Sequence, residues 1–141
     1  MGYASLDDLV ERAGEAEIRQ VADRDRDGTP DPEVIAAALA AADQTVDGYL
    51  AVRFAMPLST VPPLVRKWAT SIARYQLHRS GAPDHVVRDY RDALGELRDA
   101  AAGRIALPGV DGLNPAGTAS GGTLAEGSPP VFTRDRLEGF L

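Results

Sequence analysis

The stretch that decides the fold runs Asp31-Pro32-Glu33-Val34-Ile35-Ala36-Ala37-Ala38-Leu39-Ala40-Ala41-Ala42-Asp43-Gln44-Thr45-Val46-Asp47-Gly48-Tyr49-Leu50-Ala51-Val52-Arg53. Aspartate before proline is a helix start: the carboxylate accepts from free N–H groups, and proline's fixed φ suits the first helical position. Glu33 adds negative charge at the positive end of the helix dipole. Ile35, Leu39, Ala42, Val46, Tyr49 and Leu50 then recur at the three-and-four spacing of one helical face, and the alanine run lets neighbouring helices approach closely. A long amphipathic helix over about 32–53 follows.

The same logic extends in both directions. Pro57 and Pro62-Pro63 bracket a turn, after which Leu64, Val65, Trp68, Ile72, Tyr75 and Leu77 predict a second long helix ending near Gly81. Arg66, Thr70, Arg74 and His78, at four-residue intervals, are its predicted polar face. A third long helix opens at Pro83-Asp84, buries Val86, Val87, Tyr90, Leu94, Leu97 and Ala101, and stops at Gly103. Upstream, Ser5 is a good N-cap with Asp7 and Asp8 behind it, so a short helix turns Leu6, Leu9 and Val10 inward. Another short helix runs from Gly14 or Glu15 to about Ala22, with Ile18 and Val21 buried. The expected fold is mainly α: a compact bundle of three long helices and one or two short N-terminal ones over residues 1–107.

Composition changes after Leu107. The last 34 residues hold seven glycines and four prolines, and residues 108–130 offer too little apolar surface to offset the entropy of ordering. They read as a linker. Residues 131–141 gather Phe132, Leu137, Phe140 and Leu141 around Arg134 and Arg136, the composition of a C-terminal docking segment.

The 141-residue chain carries a net charge of -6, unevenly spread. Residues 1–47 hold twelve acidic and four basic side chains, whereas residues 48–83 hold five basic ones (Arg53, Arg66, Lys67, Arg74, Arg79) and no acidic one. Acidic and basic sectors on one protomer suit a head-to-tail contact between copies. The N-terminus lacks a signal-peptide pattern, and no apolar run approaches the ~18 residues of a membrane span, so a soluble, cytosolic protein is expected.

Few constellations suggest chemistry. Asp23-x-Asp25-x-Asp27-Gly28 copies the first half of an EF-hand calcium loop. The second half departs from it: Pro30 stands at loop position 8, and Val34 at position 12 where a bidentate glutamate belongs. Asp23, Asp25 and Asp27 could hold a cation weakly, but the stretch reads first as an acidic solvated loop that begins a helix, and no metal is assigned. With no cysteine in the chain, thiolate ligands and thiol nucleophiles are excluded. His78 and His85 flank a Gly-Pro turn and are expected to be exposed. Ser71 and Ser80 lack a glycine elbow, and no phosphate-cradling loop is present. The expectation is a non-enzyme without cofactor. A second reading, a small cytosolic regulator that binds nucleic acid through the basic second long helix, rests on Arg53, Arg66, Lys67 and Arg74. Tyr49, Trp68, Tyr75 and Tyr90 fall on apolar faces, which favours core packing over base stacking.

The run from Ala37 to Leu58, with Asp47-Gly48-Tyr49-Leu50-Ala51-Val52-Arg53-Phe54 followed by Pro57-Leu58, resembles the hallmark segment of the Mu-like phage head-tail connector family. Val61-Pro62-Pro63-Leu64, Ile72-Ala73-Arg74-Tyr75-x-Leu77, Tyr90-Arg91-Asp92-Ala93-Leu94 and Leu97-Arg98-Asp99-x-Ala101-x-Gly103 follow in the expected order. Phe132-Thr133-Arg134-Asp135 is also similar. The resemblance covers about residues 2–107. It implies an adaptor ring, of twelve copies as in similar connectors, that binds the portal and receives the tail or its terminator. It also implies a place in the virion neck, assembly in the host bacterial cytoplasm, and a passing contact with packaged DNA. Arg53, Arg66, Lys67, Arg74, Phe132, Arg134, Arg136, Leu137, Phe140 and Leu141 are the candidate contacts with neighbouring subunits or the portal. The glycine-rich tail and the Asp-rich loop depart from the family pattern and take no role from it.

Overall fold

A computed structural model describes residues 2–110, and the described chain is all helical. The order is α1 (Leu6–Ala13), α2 (Glu15–Ala22), α3 (Pro32–Leu50), α4 (Pro63–Leu77) and α5 (Asp84–Ala101). The expected starts hold. Ser5 and Asp8 form a reciprocal capping box at α1, the Ser5 N–H donating to Asp8 Oδ2 at 2.8 Å and the Asp8 N–H to Ser5 Oγ at 3.3 Å. Gly14, at φ 91°, takes a conformation that L side chains avoid and so divides α1 from α2. α3 ends at Leu50, three residues before the expected Arg53, and α4 at Leu77, four before Gly81.

α4 is the centre of the bundle. A helix with one polar and one apolar face would expose every third or fourth residue, yet Trp68 through Arg74 are all buried. α3 and α5 pack along it. α1 and α2 run beside it in turn, since Asp8 and Glu11 share a groove with Pro63 and Arg66, while Gln20 and Val21 share one with Leu77 and His78. The predicted polar face of α4 is thereby overturned for Thr70 and Arg74, which are 3% and 7% exposed. Thr70 is accommodated because its hydroxyl donates to the Arg66 carbonyl at 2.7 Å, and Arg74 because it is ion-paired.

The core comprises Leu9, Ile18, Ala22, Ala42, Val46, Leu50, Val65, Trp68, Ile72, Leu77 and Leu97, with further residues around them. Each large member contributes on the order of 1.5–3 kcal/mol by leaving water. Leu6, expected inside, is exposed, because the α1 stripe that meets α4 centres on Leu9. Tyr75 and Tyr90 join α4 to α5 by stacking, with ring centroids 3.9 Å apart, each half-buried.

The N-terminal residues lie along α3. The Tyr3 N–H donates to Asp43 Oδ1 at 3.0 Å and its hydroxyl donates to Asp47, two carboxylates one helical turn apart. Burial, reinforced by Asp47, raises the Tyr3 hydroxyl's pKa, and burial raises that of Asp43. At the other end Leu107, the last residue of the expected helical domain, is buried. Val110 packs on the core, and the Thr60 hydroxyl donates to the Gly109 carbonyl at 3.1 Å.

Two glycines inside helices have no structural task in this body. A Cβ at Gly48 of α3 or Gly95 of α5 would meet nothing within 4 Å. Alanine at either position is therefore expected to stabilise the isolated protein by about 0.5–1 kcal/mol through helix propensity. Urea denaturation of Gly48→Ala and Gly95→Ala checks this, and an unchanged or lowered midpoint contradicts it.

Candidate functional site

The acidic loop between α2 and α3 is a closed circuit of hydrogen bonds. Asp23 accepts from the N–H groups of Asp27 and Gly28 at 3.0 and 2.8 Å, and Asp25 from that of Asp27 at 3.1 Å. Asp27 accepts from the Thr29 N–H and hydroxyl, both at 2.8 Å; these bonds hold its carboxyl below the usual range. Asp31 occupies the N-cap position of α3, but its carboxylate makes no cap bond and accepts instead from the Arg24 N–H at 2.7 Å. One oxygen from each of Asp23, Asp25, Asp27 and Asp31 lies within 4.8 Å of the others. Asp31 had been read only as a helix cap. Its place two residues beyond Thr29 continues the alternate spacing of the first three aspartates, and that was the signal for it. Oxygens so arranged suit a hard cation, yet each residue's carboxylate is already engaged by backbone donors of its own loop.

The basic sector of the sequence is divided: Arg74 is buried, whereas Arg53, Arg66, Lys67 and Arg79 are exposed. Arg74, expected at an interface, forms a bidentate pair with Glu17 of α2, Nε–Oε2 at 2.7 Å and Nη2–Oε1 at 2.8 Å. Asp89 of α5 lies 3.9 Å from Nη1 and His85 Nε2 lies 3.4 Å from Nη2. The Arg74 bond holds the Glu17 carboxyl below its ordinary range, and the Glu17 bond raises the guanidinium's pKa. His78, expected to be exposed, has a side chain only 9% accessible, with Nε2 3.5 Å from Glu17 Oε2 and no hydrogen bond. His85 is exposed as expected.

Lys67 and the fully buried Trp68 share the carboxylate of Glu96, at 3.5 Å and 2.5 Å. Arg53 is exposed, but its guanidinium lies where a side chain on Gly103 would project: an ideal Cβ there would come within 2.8 Å of it. Gly103, at φ 83°, closes α5 and makes room for the arginine. Of the four basic residues proposed from sequence, Arg66 alone is exposed without a carboxylate or a close backbone neighbour among the described residues. The acidic and basic sectors meet within one protomer at Glu17–Arg74, and a nucleic-acid surface on α4 loses Arg74 and half-engages Lys67.

Sequence reasoning missed a different group of arginines. Asp23-Arg24-Asp25-Arg26-Asp27 alternates in sign, and the loop turns its aspartates onto its own backbone. Arg24 and Arg26 line a cleft of about 410 Å³ that also contains Arg79 from the turn after α4. None of the three has a carboxylate partner among the described residues. Alternation of sign was the available signal, because neighbours that share a tight loop cannot all face the same way.

Phe132, Arg134, Arg136, Leu137, Phe140 and Leu141, with most of the 108–130 linker, lie outside the described residues. Comparison with known proteins places the whole chain. Gene product J of Escherichia phage Mu is 33% identical over 144 residues, covering 100% of both chains. The Mu-like prophage FluMu protein gp36 of Haemophilus influenzae is 31% identical over 139 residues, covering 99% of this chain and 98% of its own. The family model described as Bacteriophage Mu, Gp36 matches residues 3–126. The helical body and the start of the segment beyond it thus align with phage and prophage proteins of the same length, and the chain belongs to the Bacteriophage Mu Gp36 family.

Proposed function

We propose that this protein is a structural subunit of the neck of a tailed phage or prophage-derived particle: a head-tail connector that forms a ring, of twelve copies, beneath the portal and receives the tail or its terminator. It acts by assembly and not by catalysis, in the host bacterial cytoplasm while particles are built and in the virion neck afterwards. Packaged DNA would pass through the ring.

The observation that carries the reading is the end-to-end match, at the same length, to gene product J of phage Mu, joined to the resemblance of the Ala37–Leu58 segment to connector proteins. The physical character of the body supports it. Its ionisable clusters tie its parts to one another, Glu17–Arg74 joining α2 to α4 and Tyr3–Asp47 the N-terminal residues to α3, and the groove between α1 and α4 is lined mainly by charged side chains. Such a body is suited to repeated lateral contacts.

Deletion of the gene from an inducible prophage, followed by electron microscopy of the lysate, tests the reading. Filled heads and separate tails that fail to join are expected, with joining restored by a plasmid copy. Normal particles from the deletion strain would sink it.

A further inference from the structure

Two surfaces at opposite ends of α4 carry unpaired charge of opposite sign. At the C-terminal end, Arg24, Arg26 and Arg79 line one cleft, with Gln20, Ser80 and the buried His78 as polar neighbours. Asp23 is the single acidic residue that lines it, and both its oxygens are occupied by loop N–H groups. At the N-terminal end, α1 presents Asp7 and Glu11, both exposed and neither ion-paired among the described residues. They stand two residues either side of the buried Leu9, so both lie on the solvent side of α1, one turn apart and about 6 Å from each other, with Glu11 at the rim of the groove that Pro63 and the exposed Arg66 also line. The helix between the two ends is 15 residues, about 22 Å at ~1.5 Å per residue.

We infer that these surfaces join copies of the chain head to tail, the Asp7–Glu11 edge of α1 in one copy seating in the Arg24–Arg26–Arg79 cleft of the next. The inference rests on the reading that copies assemble into a ring, and names the surfaces that do it. Guanidinium groups take carboxylates in paired hydrogen bonds, and two carboxylates one helical turn apart give such a cleft two acceptors. Because the surfaces lie at separate ends of the protomer, neither can satisfy the other within one chain. Contacts of this heterologous kind repeat, and they close when the rotation allows.

A nucleic-acid backbone is the less suitable occupant. It brings one charge per ~1.7 Å of duplex, a continuous column of phosphates that three arginines in one cleft do not match. A helix edge brings two carboxylates and then ends.

Reciprocal charge reversal tests the inference. Arg24→Glu with Arg79→Glu makes the cleft acidic, and Asp7→Lys with Glu11→Lys makes the edge basic; circular dichroism melts verify that both variants fold. Sedimentation velocity of the full chain is expected to show self-association weakened at least tenfold in each variant alone and restored when the two are mixed, since each then offers the surface the other lacks. Wild-type self-association in both separate variants overturns the inference and leaves the ring reading standing. A wild-type chain that stays monomeric at all concentrations overturns the inference, while the ring reading, which places assembly beneath the portal, is decided by the deletion experiment. Duplex binding that the cleft variant loses, with self-association untouched, assigns the cleft to nucleic acid and likewise overturns it.

Discussion

Arg74→Ala is expected to lower the free energy of unfolding by about 3 kcal/mol, the scale for removing one partner of a buried ion pair and leaving the other unneutralised. Its guanidinium is 8% accessible, bonded twice to Glu17 and close to Asp89 and His85, so α2, α4 and α5 all lose a common tie. Arg66→Ala, one exposed residue two turns earlier on the same helix, is the control and should shift stability by less than ~0.5 kcal/mol. The difference carries a pH signature. Arg74 holds the Glu17 carboxyl below its ordinary 4.5, so the native pair contributes in full above that value and loses its contribution as the pH falls through the lowered one. Urea titrations at neutral pH and near pH 3 should therefore show a large gap between wild type and Arg74→Ala that narrows in acid. Asp43 acts in the opposite sense. Burial raises its pKa, so its charge opposes folding above the raised value and protonation relieves that cost below it. A gap that stayed constant with pH would remove Glu17 from the account.

Trp68→Ala should cost about 3–5 kcal/mol, comparable to the loss of Arg74 but of different origin. The indole is fully buried at the centre of α4, and alanine leaves a cavity that α3 and α5 cannot both close. Trp68→Phe separates the ring from its polar tip: most of the volume stays while the N–H to Glu96 at 2.5 Å goes. That variant should lose about 1.5–3 kcal/mol, the range for a hydrogen bond to a charged group. Equal losses in the two variants would mean that the hydrogen bond, and not packing, dominates the site. Thermal or urea denaturation distinguishes the outcomes.

Helix identity was legible because its signals are local. Ser5, Asp31-Pro32 and Pro83-Asp84 mark starts that depend on a few neighbouring residues, and the apolar spacing along α3 and α5 was read from one helix at a time. The burial of α4 was not legible. A sequence read one helix at a time assigns Thr70 and Arg74 to solvent, and only knowledge of what packs on every side of α4 reverses that. The residues that reverse it, Glu17 and Asp89, lie 57 and 15 positions away. For the same reason the basic sector, read as surface, loses Arg74 to the interior, while Arg53, Arg66, Lys67 and Arg79 are exposed. Conversely, Arg24 and Arg26 were hidden among aspartates that averaged their charge away, although the loop's own N–H groups take up those aspartates.

The distance in sequence between Glu17 and Arg74 bears on how the chain comes together as it is made. Residues 1–47 leave the ribosome first with a net charge of -8, and the guanidinium that α2 needs follows much later. Until α4 is complete, the N-terminal helices have neither their central packing partner nor their counter-charge, and their mutual repulsion keeps the nascent segment apart from itself and from its sisters. Closure over so long a loop comes late. The order of charges along the chain thus delays docking until the helix that organises the bundle is present.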